Sequence, residues 1–318
     1  MNTRHGQRLW LRLACVAALL AQVVLSASAQ DRVPTFTTGV SLVPITAVVR
    51  DGRGRVVRNL TRDDFEVLET GKPRPIVSFA ANDHGAISVA ILFDVSGSMR
   101  VAGRMEAGKG VVELLLDAMQ PGVDEVGLFT FEKTMREEVP FTTEPGQIRI
   151  GLGEMSAAMG LTSLYDAIAQ TTKTLADRPS KRRAVIVITD GVDTSSRMTP
   201  AAVSALASAS DVPVYVIAVV SPLDHPGTDL AVVTDAQMDT SLSNLAYWTG
   251  GSLTLVSAPA HASVAARDLI AELRQQYLLA VESAGQAGWY GLEVRTRKRE
   301  LNVRARSGYF AGGTRRVS

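Results

Sequence analysis

Residues Ile87-Ser-Val-Ala-Ile-Leu-Phe-Asp-Val-Ser-Gly-Ser-Met99 constrain the fold more than any other stretch of the chain. Ile87 to Phe93 is a nearly unbroken apolar run, the pattern of a strand buried on both faces of a sheet. It stops abruptly at Asp94, and Ser96 and Ser98 follow at alternate positions with Gly97 between them. A turn of this kind at the carboxyl end of a central strand is where open α/β sheets place ligands. Carboxylate and hydroxyl oxygens favour a hard divalent cation such as Mg²⁺, Ca²⁺ or Mn²⁺.

Downstream, strands alternate with helical patterns. The fold class read from this is α/β: a doubly wound, mostly parallel sheet with helices on both faces. Met105, Val112, Leu115, Leu116 and Met119 recur at helical spacing and precede an expected strand at Val126–Phe131. A helix is expected from about Ser163, carrying Leu164, Ala167 and Ile168. Ala184–Ile188 is a second fully apolar strand, ending at Thr189-Asp190-Gly191, and Val212–Val220 is a third. A helix at Ser241–Thr249 is stopped by Gly250-Gly251, and Ser252–Val256 supplies a last strand. Ile270, Leu273 and Tyr277 mark a closing helix, whereas Ser221–Asp235, with two prolines and a glycine, reads as a loop.

Both ends have β texture. Ile45–Val49 and Arg55–Val57 flank Asp51-Gly-Arg-Gly54, a hairpin signal. Thr61 with Asp64 resembles an N-cap pair for one helical turn, before the strands Phe65–Leu68 and Ile76–Phe79. Some fifty residues of short strands hold little core of their own. Leu278–Val281, Leu292–Val294 and Leu301–Val303 are the expected partners. The expected organisation is therefore an N-terminal β segment at 30–84, the α/β domain at 85–276 and a C-terminal β segment at 277–318. The two β segments make one small β domain.

Residues 1–29 read as a signal peptide: Arg4, Arg8 and Arg12 precede the apolar run Leu13–Leu25, and Ala27-Ser28-Ala29 supplies a cleavage site. The run is short of the roughly 20 apolar residues a spanning helix needs. An exported, periplasmic or extracellular protein is expected, without a transmembrane segment in the mature chain. Cys15, the only cysteine, leaves with this segment, so no disulfide is expected. Losing three arginines turns the formal charge from +1 to −2, which gives no case for nucleic-acid binding. The eight late basic residues, Arg295, Arg297, Lys298, Arg299, Arg304, Arg306, Arg315 and Arg316, against Glu293 and Glu300, read as the solvated face of a hairpin, with an anionic envelope polymer as the alternative. Trp248, Trp289 and Tyr290 are expected in the core or at a domain interface.

Three separated pieces carry the chemistry: Asp94-Val-Ser-Gly-Ser98, Gly160-Leu-Thr162 and Thr189-Asp190-Gly191. If the two strands are neighbours, Asp94, Ser96, Ser98, Thr162 and Asp190 share one rim. Two carboxylates and three hydroxyls carry too little charge for a closed Ca²⁺ cage and suit an octahedral ion that keeps waters and one open position. The competing reading of Asp94, Ser96 and Ser98 is a capped strand-to-helix turn. Asp193 reads as a loop cap, or as an outer hydrogen-bond partner of the centre.

At these residues the sequence resembles the von Willebrand factor type A fold and its metal-ion-dependent adhesion site, Asp-x-Ser-x-Ser with a distant Thr and Asp. The flanks, with Phe65-Glu-Val67 and Val303-Arg-Ala-Arg-Ser-Gly-Tyr309, are similar to a bacterial secreted group called VWFA-related. The resemblance implies that Ser96, Ser98 and Thr162 touch the ion, that Asp94 and Asp190 act mainly through water, and that the ligand is a carboxylate from an acidic residue of a partner protein. Mg²⁺ is the expected cofactor, with Mn²⁺ or Ca²⁺ as alternatives. Function is thus expected to be non-enzymatic binding. A scaffold role with an incidental metal, or a metal-dependent hydrolase, are the other readings. The hydrolase is disfavoured because the expected site holds no histidine, lysine or cysteine and no carboxylate pair poised for acid–base work.

Overall fold

The computed structural model describes residues 42–81, 85–180, 182–220 and 240–311. The signal-peptide reading, Cys15, the Ser221–Asp235 loop, Arg315 and Arg316 lie outside the described residues.

The chain enters through four strands, β1 (Leu42–Arg50), β2 (Phe65–Glu69), β3 (Lys72–Arg74) and β4 (Ile76–Ala81). It then runs through β5 (Ile87–Asp94), α1 (Arg104–Ala118), β6 (Glu125–Phe131), β7 (Met135–Thr142), α2 (Pro145–Glu154), α3 (Leu164–Ala176) and β8 (Arg182–Thr189). After these come α4 (Pro200–Ala209), β9 (Val214–Val219), α5 (Thr240–Trp248), β10 (Leu253–Val256) and α6 (Pro259–Arg274). It leaves through β11 (Tyr277–Glu282), β12 (Gly288–Thr296), β13 (Asn302–Ala305) and β14 (Gly308–Ala311).

The central sheet has the order β10-β9-β8-β5-β6-β7, parallel except for the antiparallel edge strand β7. β5 is buried at every position because both faces are covered. Its Val89, Ile91 and Phe93 join one core with Val111 and Leu115 of α1 and Ile270 and Leu273 of α6. Its Ala90 and Leu92 join the other core with Ile168 of α3, Val203 of α4 and Leu245 of α5. The fold class is the one the apolar runs specify. β7 was not anticipated, because Arg136, Glu137, Glu138 and Pro140 interrupt its apolar pattern; such residues are tolerated on an edge strand.

β5 has β6 on one side and β8 on the other, so strand order reverses between β5 and β8, the position at which such sheets bind ligands. α1 packs close against these two strands at Gly108. A Cβ there would lie 2.8 Å from Phe93 Cζ and 3.0 Å from Ile188 Cγ2.

The chain ends form two antiparallel four-stranded sheets, β13-β1-β11-β4 and β14-β12-β2-β3. They share a core in which Val43, Ile45 and Val49 of β1 meet Val67 of β2, Leu279 of β11 and Leu292 of β12. The small β domain is therefore built from both ends. The expected hairpin at Asp51 is only an isolated bridge, Arg50 to Val56. Asp51 Oδ1 accepts the Arg53 and Arg55 amides at 2.9 Å, which closes the turn on itself. Ala47–Arg50 pair instead with β13.

Two of the tail arginines are not solvated. Glu272 of α6, 1% exposed, accepts from Tyr215 Oη at 2.7 Å and from Arg50 Nε at 3.2 Å, and it pairs with Arg304. Arg306 is buried, donates to the carbonyls of Ser208 and Pro44, and lies 3.5 Å from Asp211. Both side chains join the β domain to the α/β domain, where a buried charge requires a partner. Trp248 lies at the domain interface, its carbonyl accepting the Ser307 amide at 2.9 Å, and Tyr290 packs on the β-domain core, whereas Trp289 is substantially exposed, contrary to expectation. The Trp289 ring lies over Gly308, which covers part of it without a core.

Candidate metal centre

The centre is built where β5 and β8 end. Asp94 is fully buried; its Oδ1 accepts the Ser96 amide at 2.8 Å and its Oδ2 accepts the Thr189 hydroxyl at 2.6 Å. Burial pushes the Asp94 carboxyl up to about 6; hydrogen bonds from Ser96 and Thr189 oppose this and the nearby Asp190 charge adds to it. Ser96 takes an extended conformation ahead of a 3₁₀ stretch at Gly97–Gly103, and the Ser96 and Ser98 hydroxyl oxygens face each other at 3.1 Å. The stretch breaks at Val101 and at Ala102, which is held at φ 55°.

Two further loops complete the rim. The Ala158 amide donates to Val95 O at 2.6 Å and the Ser163 amide to Glu132 O at 2.7 Å, laying the segment before α3 against the ends of β5 and β6. Thr162 is buried, and its carbonyl accepts the Thr194 and Ser195 amides, both at 2.9 Å. Its own amide donates to Thr194 Oγ1 at 2.8 Å. Asp193 lies in the same loop: its Oδ1 accepts the Leu164 amide at 2.8 Å, at the start of α3, and the Ser196 hydroxyl at 2.6 Å.

Asp190 directly follows β8. Its Oδ2 lies 3.5 Å from Arg104 Nη1, which also donates to Ser98 O at 2.8 Å. Its Oδ1 is buried and has no hydrogen-bond partner. Asp94, Ser96 and Ser98 are thus linked directly, Asp190 is close enough to act on the Asp94 charge, and Thr162 is fixed to the loop that follows Asp190. Among the described residues, no cluster of three or more His, Cys, Asp or Glu could hold a metal, so any ion here depends on hydroxyl donors as well. Asp190 has one oxygen facing Arg104 and the other without a partner, and a cation fits between that free oxygen and the buried Asp94 carboxylate.

Arg104 and Thr189 escaped the sequence reading. Arg104 belongs to no motif and reads as the first residue of a helix. Thr189 was visible only as the residue before Asp190; its place in the sheet, opposite Asp94, is what gives it a role.

An open α/β domain with an oxygen-donor cluster at its strand reversal is the class that fold and site define. Residues 89–193 match the family model of the von Willebrand factor type A domain, a span that includes every residue of the cluster. The central part of the α/β domain, residues 89–193, is thus similar to a von Willebrand factor type A domain. No curated protein matches the chain. Similar solved structures include BatB from Bacteroides thetaiotaomicron, at 21% identity and TM-score 0.45, covering 58% of this chain and 97% of that one. A von Willebrand factor type A protein from Catenulispora acidiphila is 14% identical with TM-score 0.48, over 86% of this chain and 73% of that one. Proximal thread matrix protein 1 from the mussel byssus, with zinc in its MIDAS motif, is 16% identical with TM-score 0.48, over 64% and 49%.

Proposed function

We propose that this is an exported, non-enzymatic binding protein whose von Willebrand factor type A domain holds a divalent cation, Mg²⁺ first, and through it binds a carboxylate of a partner protein. The observation that carries this reading is the buried, unpartnered Oδ1 of Asp190 beside the buried Asp94. Asp94, Ser96, Ser98, Thr162 and Asp190 are the residues that would hold the ion. When bound, it supplies a Lewis-acidic position able to take an anionic oxygen.

The chain's own residues have distinct parts in this. Thr189 and the Ser96 amide hold the Asp94 carboxylate in one orientation. Arg104 fixes the Ser98 carbonyl and one oxygen of Asp190 while the other stays available. Asp193 ties the start of α3 to the loop after Asp190. Export rests on the pattern of residues 1–29. No helix among the described residues is long and apolar enough to cross a membrane.

Partner capture from an envelope extract, with Mg²⁺ or with EDTA, tests the reading in wild type and Ser96→Ala. Capture that depends on Mg²⁺ and on Ser96 is expected. Equal capture under all conditions would remove the cation from the account.

A further inference from the structure

Four large apolar side chains stand exposed on the loops that carry the candidate centre. Val101 follows the Asp94–Ser98 turn, Met159 and Leu161 precede Thr162, and Val192 follows Asp190; they are 55%, 84%, 56% and 52% exposed. Single exposed apolar residues are ordinary on a protein surface, but a group around one point marks an interaction site.

Backbone contacts enforce the grouping. A Cβ on Gly97 would meet the carbonyl oxygens of Ala158 and Gly160 at 3.9 Å, so the segment around Met159 lies on the Ser96–Ser98 turn. The Arg100 guanidinium donates to the Met159 sulfur and joins the same two loops at their outer edge. The third loop is tied to the second through Thr162 O, which accepts the Thr194 and Ser195 amides. Arg100, Arg104, Glu132 and Asp193 stand around the same loops, two charges of each sign, so the apolar side chains are what sets this rim apart.

We infer that the partner's acidic residue is flanked by apolar side chains, which seat on Val101, Met159, Leu161 and Val192 as its carboxylate enters the centre. This rests on the cation-dependent binding proposed above and adds the class of sequence that is recognised. A ring of apolar contacts excludes water from the polar contact it surrounds, which is how central polar residues of interfaces gain strength. Met159 is unbranched and can adapt to more than one apolar neighbour.

The test uses the mature chain and two labelled peptides, one with a single Asp between leucines and one with the same Asp between serines. In Mg²⁺, the leucine-flanked peptide should bind about tenfold more tightly or better, as expected for burying apolar side chains. EDTA should release both. In the double variant Met159→Ser, Leu161→Ser the preference should vanish while Mg²⁺ uptake, measured by calorimetry without peptide, stays unchanged. Wild type that takes up Mg²⁺ but binds the peptides equally, or binds neither, would overturn the inference. So would a preference that persists in the double variant, or leucine-flanked binding that ignores EDTA. Failure of wild type to take up Mg²⁺ at all would instead sink the underlying cation reading, and the inference with it.

Discussion

The Thr189 hydroxyl donates a 2.6 Å hydrogen bond to Asp94 Oδ2, tying the last residue of β8 to the last residue of β5 inside the protein. Because Thr189 Oγ1 also accepts the Gly191 amide at 3.0 Å, the same atom sets the course of the chain around Asp190. Thr189→Val keeps the shape but leaves a buried carboxylate oxygen without its donor. It should cost about 1–3 kcal/mol in urea unfolding and weaken Mg²⁺ uptake, whereas Thr189→Ser should preserve both. A Thr189→Val protein with wild-type stability and wild-type Mg²⁺ uptake would show the bond to be dispensable.

Asp94 gives the metal-free protein a pH dependence of defined sign. Its carboxyl is pushed up to about 6 from 3.8, so between these values the native state holds a proton that the unfolded chain has released. Stability contributed by this group is therefore present below about pH 4 and is lost as pH rises through 6, an effect of about 3 kcal/mol. Mg²⁺ favours the ionised form, so the stabilisation it confers should grow across the same window. Asp94→Asn should flatten the slope, raise the metal-free Tm at neutral pH and abolish the response to Mg²⁺. Thermal unfolding from pH 4 to 8 in EDTA and in Mg²⁺ reads all three; an unchanged slope in the variant would assign the dependence to other groups.

Glu272 is the buried acceptor for Tyr215, Arg50 and Arg304, which come from β9, β1 and β13. Removing its charge strands two guanidinium groups between the domains. Glu272→Gln should lower stability by about 3–5 kcal/mol. Calorimetric Mg²⁺ uptake at low temperature should survive, because Glu272 has no contact with the candidate centre. Chemical denaturation together with that titration separates the two effects.

At Gly108, α1 packs close against the ends of β5 and β8. Gly108→Ala would push a methyl group toward Phe93 and Ile188, at 2.8 and 3.0 Å. The expected loss is about 1–3 kcal/mol. Gly110→Ala in the same helix meets nothing within 4 Å and should be neutral or mildly stabilising. Equal Tm values for the two variants would contradict the close packing.

The legible parts of this molecule were those whose signal is local. Ile87–Phe93 and Ala184–Ile188 declare a two-sided burial that only a covered parallel sheet provides, and the proximity of Asp94, Ser96 and Ser98 follows from a single turn. The rest depended on tertiary pairing. β7 hides its strand character behind charges that an edge strand tolerates. Arg304 and Arg306 alternate with apolar residues as a solvent-facing row would, yet meet Glu272 and Asp211 from elsewhere in the chain. Arg104 reaches Asp190 only because α1 begins beside the end of β8, which no spacing in the sequence encodes.

Calorimetric titration of the folded mature protein with Mg²⁺, repeated for Asp190→Ala, tests the central claim most directly. One ion per chain in wild type, displaced by EDTA and absent in a still-folded Asp190→Ala, is the predicted result. No uptake of Mg²⁺, Mn²⁺ or Ca²⁺ by folded wild type, or equal uptake by the variant, would contradict it.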